Sequence, residues 1–449
     1  MPVIASVAVN WTGSKNFGIG EPLNSAEKTW TVTVTYQGGR TETIEANNAE
    51  IEWTPADFSA TAGTNKTVTV RYKEVPATAA ITGITVRTLQ ERVQAVPNGG
   101  TATIYLYADE NVGMQWSDNR TITLLGVKKP GSQENIKIGR STGVSIPIDI
   151  YNAHIILGAN VTLDGSIGVA SGQSFVRLAS ANARFTMKEG SMITGNNASN
   201  GGAVVVQTGT FDMEGGTITG NSASLWGGGV QVLTTSATFN MSGGIISGNT
   251  SLESGGGVSV FQGATFNMSG GSVTENNSVV GKDVFLNVQT DVNPGRIYLS
   301  GNAQIDNIAL NAISYGGASH RAVITISSNT FSGSVGSVDL GGYTTFGEHN
   351  YLNNWMFVQV ISAGAGVTLT KAILEKFTLG EFITSTGAKA GKILEVFYSG
   401  LAITWWGNLH LYGTGGKDKD GTIYEETVQE DFGKLMPGYT IIRDPGIAQ

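Results

Sequence analysis

The chain contains no cysteine. Disulfides, thiolate nucleophiles and thiolate metal sites are thereby excluded together, and stability is left to packing and hydrogen bonding. Charge is also scarce, at 14% of 449 residues. The polar surface must therefore consist mostly of Ser, Thr, Asn and Gln. What charge there is leans acidic, with a formal net charge of -8 and a pI near 5.2. That balance argues against nucleic acid or an anionic lipid surface as the main partner, because both require a basic face. No apolar run of about 18 residues occurs, so no stretch reads as a transmembrane helix. The N-terminus, MPVIASVAVNWTG, lacks the basic start and apolar run of a signal peptide. Two expectations fit such a start, an exported chain whose leader is not part of this sequence and a chain never exported by that route.

Glycine, by contrast, is abundant: 62 residues, about twice the usual share. No strict G-X-Y period accompanies it, which excludes collagen and points to many tight turns between short strands. Between Phe185 and Asn276 one short phrase is written four times: FTMKEGSMITGN, FDMEGGTITGN, FNMSGGIISGN and FNMSGGSVTEN. The phenylalanines fall at Phe185, Phe211, Phe239 and Phe266, spaced by 26, 28 and 27 residues, and each copy closes on an asparagine at Asn196, Asn221, Asn249 or Asn276. Glycine-rich strands, GGAVVV, GGGVQV and GGGVSV, sit between the copies. A fixed period in the twenties marks a repeat whose units must stack to bury an apolar face. Three short strands per repeat make a three-sided coil rising by about one strand spacing of 4.8 Å. The Phe and Met columns read as core, and the Asn column as an asparagine ladder that satisfies a buried corner.

This repeat resembles the F-x-M-x-G-G-x-I-x-G-N … G-G-G-V-x-V family of secreted and surface bacterial proteins. The resemblance implies a right-handed parallel β-helix. The first copy departs by one extra residue between Met187 and Ile193, which predicts a bulge or a wider corner.

Outside the repeats, residues 1–75 read as short alternating strands, with Trp30, Val32, Val34 and Tyr36 on one face and Val68, Val70 and Tyr72 on another. The segment resembles bacterial immunoglobulin-like domains, without the Cys-Trp-Cys core of antibody domains. Residues 76–87 are expected as a linker. Thr88, with Glu91 three residues later and a Leu89, Val93, Val96 stripe, predicts a capping helix over 88–96. Coils of the β-helix are expected over 88–376, and final coils or a β-rich cap and tail over 377–449.

Catalytic motifs are missing. The acids of the four copies, Glu189, Asp212, Glu214, Glu253, Glu275 and Asp283, occupy different repeat positions rather than a column. His154, His320, His349 and His410 have no metal-site spacing, and no G-x-S-x-G elbow occurs. Asp418–Gly421 contains part of a calcium-loop pattern but lacks its first and twelfth ligands, so a turn explains it better. Neither metal nor cofactor is implied. The tail aromatics Trp355, Tyr398, Trp405, Trp406 and Tyr412 are the candidate ligand-binding residues, because adjacent Trp405 and Trp406 point to opposite faces of a strand and only one can be core.

The expectation is an all-β protein, a small immunoglobulin-like sandwich followed by a right-handed parallel β-helix. As function it implies a non-catalytic structural or adhesive rod, secreted or on a bacterial surface, touching glycans or host proteins. A polysaccharide lyase or glycoside hydrolase with a groove along the helix, and a phage tailspike or fibre, are the alternatives. Oligomeric state stays open.

Overall fold

The computed structural model describes residues 4–383, except 13, 24, 26–28, 55–57, 59–61, 73–77, 169–171, 289–292, 316–317, 342–360 and 375, and beyond them 389–392, 394–396, 401–402, 416–418 and 423–424. The chain is all-β. Its main body is a parallel β-solenoid of about eight turns. One sheet of ten strands, parallel throughout, runs from Thr101–Leu106 to Ile361–Ala363. A second sheet of nineteen strands carries two strands from each regular coil.

The four copies stack in perfect register. Phe185 pairs with Phe211, Phe211 with Phe239 and Phe239 with Phe266, while Met187, Met213, Met241 and Met268 align beside them. The rings lie 5.4, 4.7 and 4.7 Å apart, the last two pairs within 7° of parallel. That separation is the strand spacing itself, so one backbone repeat sets one ring stack. Ile155 precedes the column and Ile297 follows it. The extra residue of the first copy falls in the corner between Met187 and Met192 and leaves both flanking strand registers intact.

The glycine pairs of the repeat have a steric cause. A Cβ on Gly202 would lie 1.9 Å from the carbonyl oxygen of Gly228, and one on Gly228 would lie 2.3 Å from that of Gly256. Coil rests on coil there with no room for a side chain. Beside this corner a small three-stranded sheet, Asn197–Asn200, Ser222–Trp226 and Thr250–Ser251, runs along the outside.

Before the solenoid, a three-stranded sheet (Ile4–Trp11, Trp30–Tyr36, Thr41–Glu45) and a four-stranded sheet (Asn16–Gly18, Thr78–Arg87, Gly63–Tyr72, Ile51–Thr54) share one core built on Trp30, Val32, Val34, Val68, Val70 and Tyr72. Within the stretch expected as a linker, residues 78–87 are instead part of the sandwich. Thr78–Arg87 is a strand that buries Ile81, Ile84 and Val86 and pairs with strands on both sides. Its alternation is broken around Gly83, at φ 71°, and the partner strand shifts register opposite it, which conceals the period in the sequence.

A short helix, Leu89–Gln94, follows at once. Thr88 and Glu91 form a capping box at its start, and Leu89 and Val93 are buried against the solenoid core. Arg92 pairs with the buried Glu110 and donates to the carbonyl of Tyr105. Burial pushes the Glu110 carboxyl up, and Arg92 opposes that shift. No helix among the described residues is long and apolar enough to cross a membrane.

Candidate functional site

The asparagines close a corner and hold it from within. Each follows a residue in the left-handed backbone region, Gly195, Gly220 and Gly248 at φ 69°, 65° and 65° and Glu275 at 57°, which turns the next side chain under the coil. All four asparagines are buried. The backbone N–H and Nδ2 of Asn221 both donate to Oδ1 of Asn249, at 3.1 and 3.0 Å, and Asn249 does the same to Asn276 at 3.0 Å each. The Asn196 N–H donates to Asn221 Oδ1 at 3.1 Å. Each Nδ2 from Asn221 onward also reaches backbone carbonyls, so buried groups that would otherwise be stranded are satisfied.

The ladder ends on charges of opposite sign. Asn276 donates through its N–H and Nδ2 to Oδ1 of Asp283, at 3.0 and 2.9 Å. At the other end Nη2 of Arg140 donates to Oδ1 of Asn196 at 2.9 Å. Every amide oxygen of the row thus accepts from the side of the cation and every backbone N–H of the row donates toward the anion, an alignment in which the bonds polarise one another. Burial pushes the Asp283 carboxyl up to about 6, against the hydrogen bonds from Asn276 that favour its charged form. Burial likewise lowers the proton affinity of Arg140.

On the outer face of the ten-stranded sheet the repeat's acids are already engaged. Asp212 accepts from Arg184 at 2.8 Å and from Asn240 Nδ2 at 2.8 Å, and Asn267 Nδ2 in turn donates to Asn240 Oδ1. Glu214 pairs with Lys188. His154 shares a hydrogen bond with Thr186 Oγ1 at 2.8 Å, and burial, followed by the nearby Arg184, lowers its pKa. Among the described residues no group of three or more His, Asp or Glu side chains converges as a metal site.

A concave feature lies elsewhere, on the early, irregular coils. A cleft of about 500 Å³ is lined by residues from Gly113–Gln115, Val144–Ile146, Asp149, Gln173 and Arg177. Two adjoining strands build its polar wall: Ile148–Ile150 and Val176–Leu178 pair in parallel, with Asp149 opposite Arg177. In each triplet the outer residues are buried in the core, so the middle one points outward. Arg177 Nε and Nη2 grip the two oxygens of Asp149 at 2.9 and 2.7 Å, and Nη2 also donates to the Tyr151 hydroxyl at 3.2 Å. Hydrogen bonding to Asp149 raises the Arg177 pKa, so it stays charged. Beside the cleft lies Arg140, 1% exposed. Its Nη1 donates to the carbonyl of Ser145 and its Nη2 to that of Gln173, both cleft-lining residues, and its Nε has no partner.

Of the candidate residues singled out in the sequence, Asn196, Asn221, Asn249 and Asn276 and Phe185, Phe211, Phe239 and Phe266 form the two continuous columns described above. Trp355, Tyr398, Trp405, Trp406 and Tyr412 lie outside the described residues. The stretch around Asp418 is flanked by Gly416–Asp418 and Ile423–Tyr424, which pair antiparallel. Sequence reasoning missed Asp149, Arg177 and Arg140. The first two carried a readable signal: I-D-I and V-R-L are apolar triplets with a charged centre, 28 residues apart. Arg140 carried none, because its ladder partner is 56 residues away. No protein-family model matches this chain, and no curated protein matches it.

Proposed function

We propose that this chain is a non-catalytic bacterial rod, secreted or displayed on the cell surface, that holds adhesive contacts with glycans or host proteins at a distance from its point of attachment. The N-terminal sandwich serves in this reading as an immunoglobulin-like spacer, and the solenoid is the right-handed member of its class. One observation carries the proposal. The repeat's recurring asparagine column is consumed internally, amide to amide, and its acids Asp212 and Glu214 on the outer face are paired with Arg184 and Lys188. A carboxylate so engaged is a poor proton donor or acceptor, whereas a stacked, internally bonded solenoid is well suited to stiffness.

The test has two arms on the purified chain. Binding to a glycan array or to immobilised host matrix proteins, with no products released from a panel of polysaccharides, supports the rod. Release of reducing ends or of unsaturated uronates would replace it with an enzyme.

A further inference from the structure

The cleft on the early coils combines three features. It is concave, it holds a bidentate Arg177–Asp149 pair with a phenol beside it, and it adjoins a buried cation that has no carboxylate partner. Arg140 makes no ion pair. Its guanidinium is held only by two carbonyls and by the oxygen end of the asparagine ladder, and it stacks over the Phe175 ring at 5.8 Å. A buried charge with no countercharge is costly to keep, and an anion in the adjoining cleft would lie in its field. Counting Arg140 and Arg177 against Asp149, the cleft and its wall carry a local charge of one positive unit on a chain whose total is -8.

The remaining groups narrow the chemistry. The carboxylate of Asp149 and, beside the cleft, the hydroxyl of Tyr151 both accept from Arg177, Gln115 offers an exposed amide that both donates and accepts, and Val144 and Ile146 provide half-buried apolar surface. A purely anionic peptide would call for donors alone. A sugar ring presents hydroxyls that donate and accept on its rim, with C–H groups on its face, and this wall matches both. We infer that the cleft lined by Gln115, Val144, Ile146, Asp149, Gln173 and Arg177 binds a carboxylated saccharide, its carboxylate drawn to the positive potential of Arg177 and Arg140. This rests on the adhesive reading above and names the ligand class for it.

Calorimetry on the full chain tests this with two matched pairs of probes: galacturonate trisaccharide against its methyl ester, and sialyllactose against lactose. The expected result is that at least one acid probe binds, and that its neutral partner binds roughly tenfold or more weakly, as the loss of a charge-assisted hydrogen bond would give. Arg177→Gln is expected to weaken the acid probe similarly. Because that variant leaves the buried Asp149 unpaired, the combined Asp149→Asn, Arg177→Gln variant is measured beside it, and Arg296→Gln, on the ten-stranded sheet, is expected to bind like the wild type. Silence toward both acid probes, equal binding of acid and neutral forms, or binding unchanged in the double variant would overturn the inference. So would tighter binding of hexaglutamate than of either sugar acid. Neutral glycans binding elsewhere would sink the cleft and keep the rod, while product release from any saccharide would sink the non-catalytic reading instead.

Discussion

The four regular coils and the irregular coils before them are built from the same parallel ladders, yet they treat polarity in opposite ways. Between Asn196 and Asn276 each buried asparagine of the corner meets another one coil away, so asparagine bonds to asparagine until the two ends of the row. In the coils between Thr101 and Leu178 the repeat length varies and no equivalent stands in line. There a lone Arg140 takes the place at the head of the ladder, Asp149 and Arg177 meet across adjacent strands, and a cleft opens beside them. Regularity produces self-satisfaction and a flat wall. Irregularity leaves Arg140 without a carboxylate partner and opens a concave face on which Asp149 and Arg177 meet.

The comparison is broken most forcefully at the ring stack. Phe239 is stacked on both sides at 4.7 Å and fully buried, so Phe239→Ala is expected to cost about 3–5 kcal/mol in urea unfolding. A loss under about 1 kcal/mol would mean that the stack is incidental to stability. Next come the two ways of interrupting the ladder. Asn249→Ala removes the acceptor of the buried Asn221 N–H and the donor to the carbonyls of Ile218 and Ser247. Its expected cost is about 2–4 kcal/mol. Arg140→Met also removes a ladder bond, but it relieves a buried unpaired charge, so its expected effect is within about 1 kcal/mol of zero. Equal losses in the two variants would show that the irregular end is as tightly matched as the regular one.

The anionic end of the ladder sharpens the contrast through pH. The folded pKa of Asp283 is raised from 3.8 to about 6, so the folded state holds this proton more tightly than the unfolded chain. The stability this gives is fully present below the unfolded value and is lost as pH rises toward about 6. Denaturation midpoints measured from pH 4 to 7 should therefore differ between the wild type and Asp283→Asn by an amount that changes through that window and levels off above it. A constant difference would remove the role assigned to burial.

A small effect of stabilising sign is expected in the one copy that departs from glycine before its asparagine. Glu275 sits at φ 57°, where the other three copies have glycine, and a side chain in that region costs about 1 kcal/mol or a little more. Glu275→Gly should raise stability by about 1 kcal/mol, seen as a higher midpoint at unchanged slope. No change would mean that Glu275 has contacts offsetting its strain.

Much of this molecule could be read without coordinates. The Phe, Met and Asn columns declare a stacked core and a laddered corner, because a period of about 27 residues places like beside like whenever one coil is one repeat. The helix at Leu89–Gln94 is equally legible, since Thr88 and Glu91 are local partners. What resisted reading was every partnership between unlike residues at unlike separations. Asn276 meets Asp283 seven residues later, not the next repeat's asparagine, and Asn196 meets Arg140 fifty-six residues earlier. Strand Thr78–Arg87 was concealed by Gly83 in the same way, because its pairing depends on neighbours on either side.

The sequence by itself therefore determined the coil, its inward columns and the residues that turn its corner. Repeating side chains translate directly into repeating contacts, with the strand spacing as the ruler. Only the tertiary structure decided how the ladder ends and where the surface departs from flatness. Those features depend on which irregular loop falls opposite which coil, and on the cost of burying charge, which compels Arg140 and Asp283 to share one row of amides and leaves Arg177 facing the open cleft.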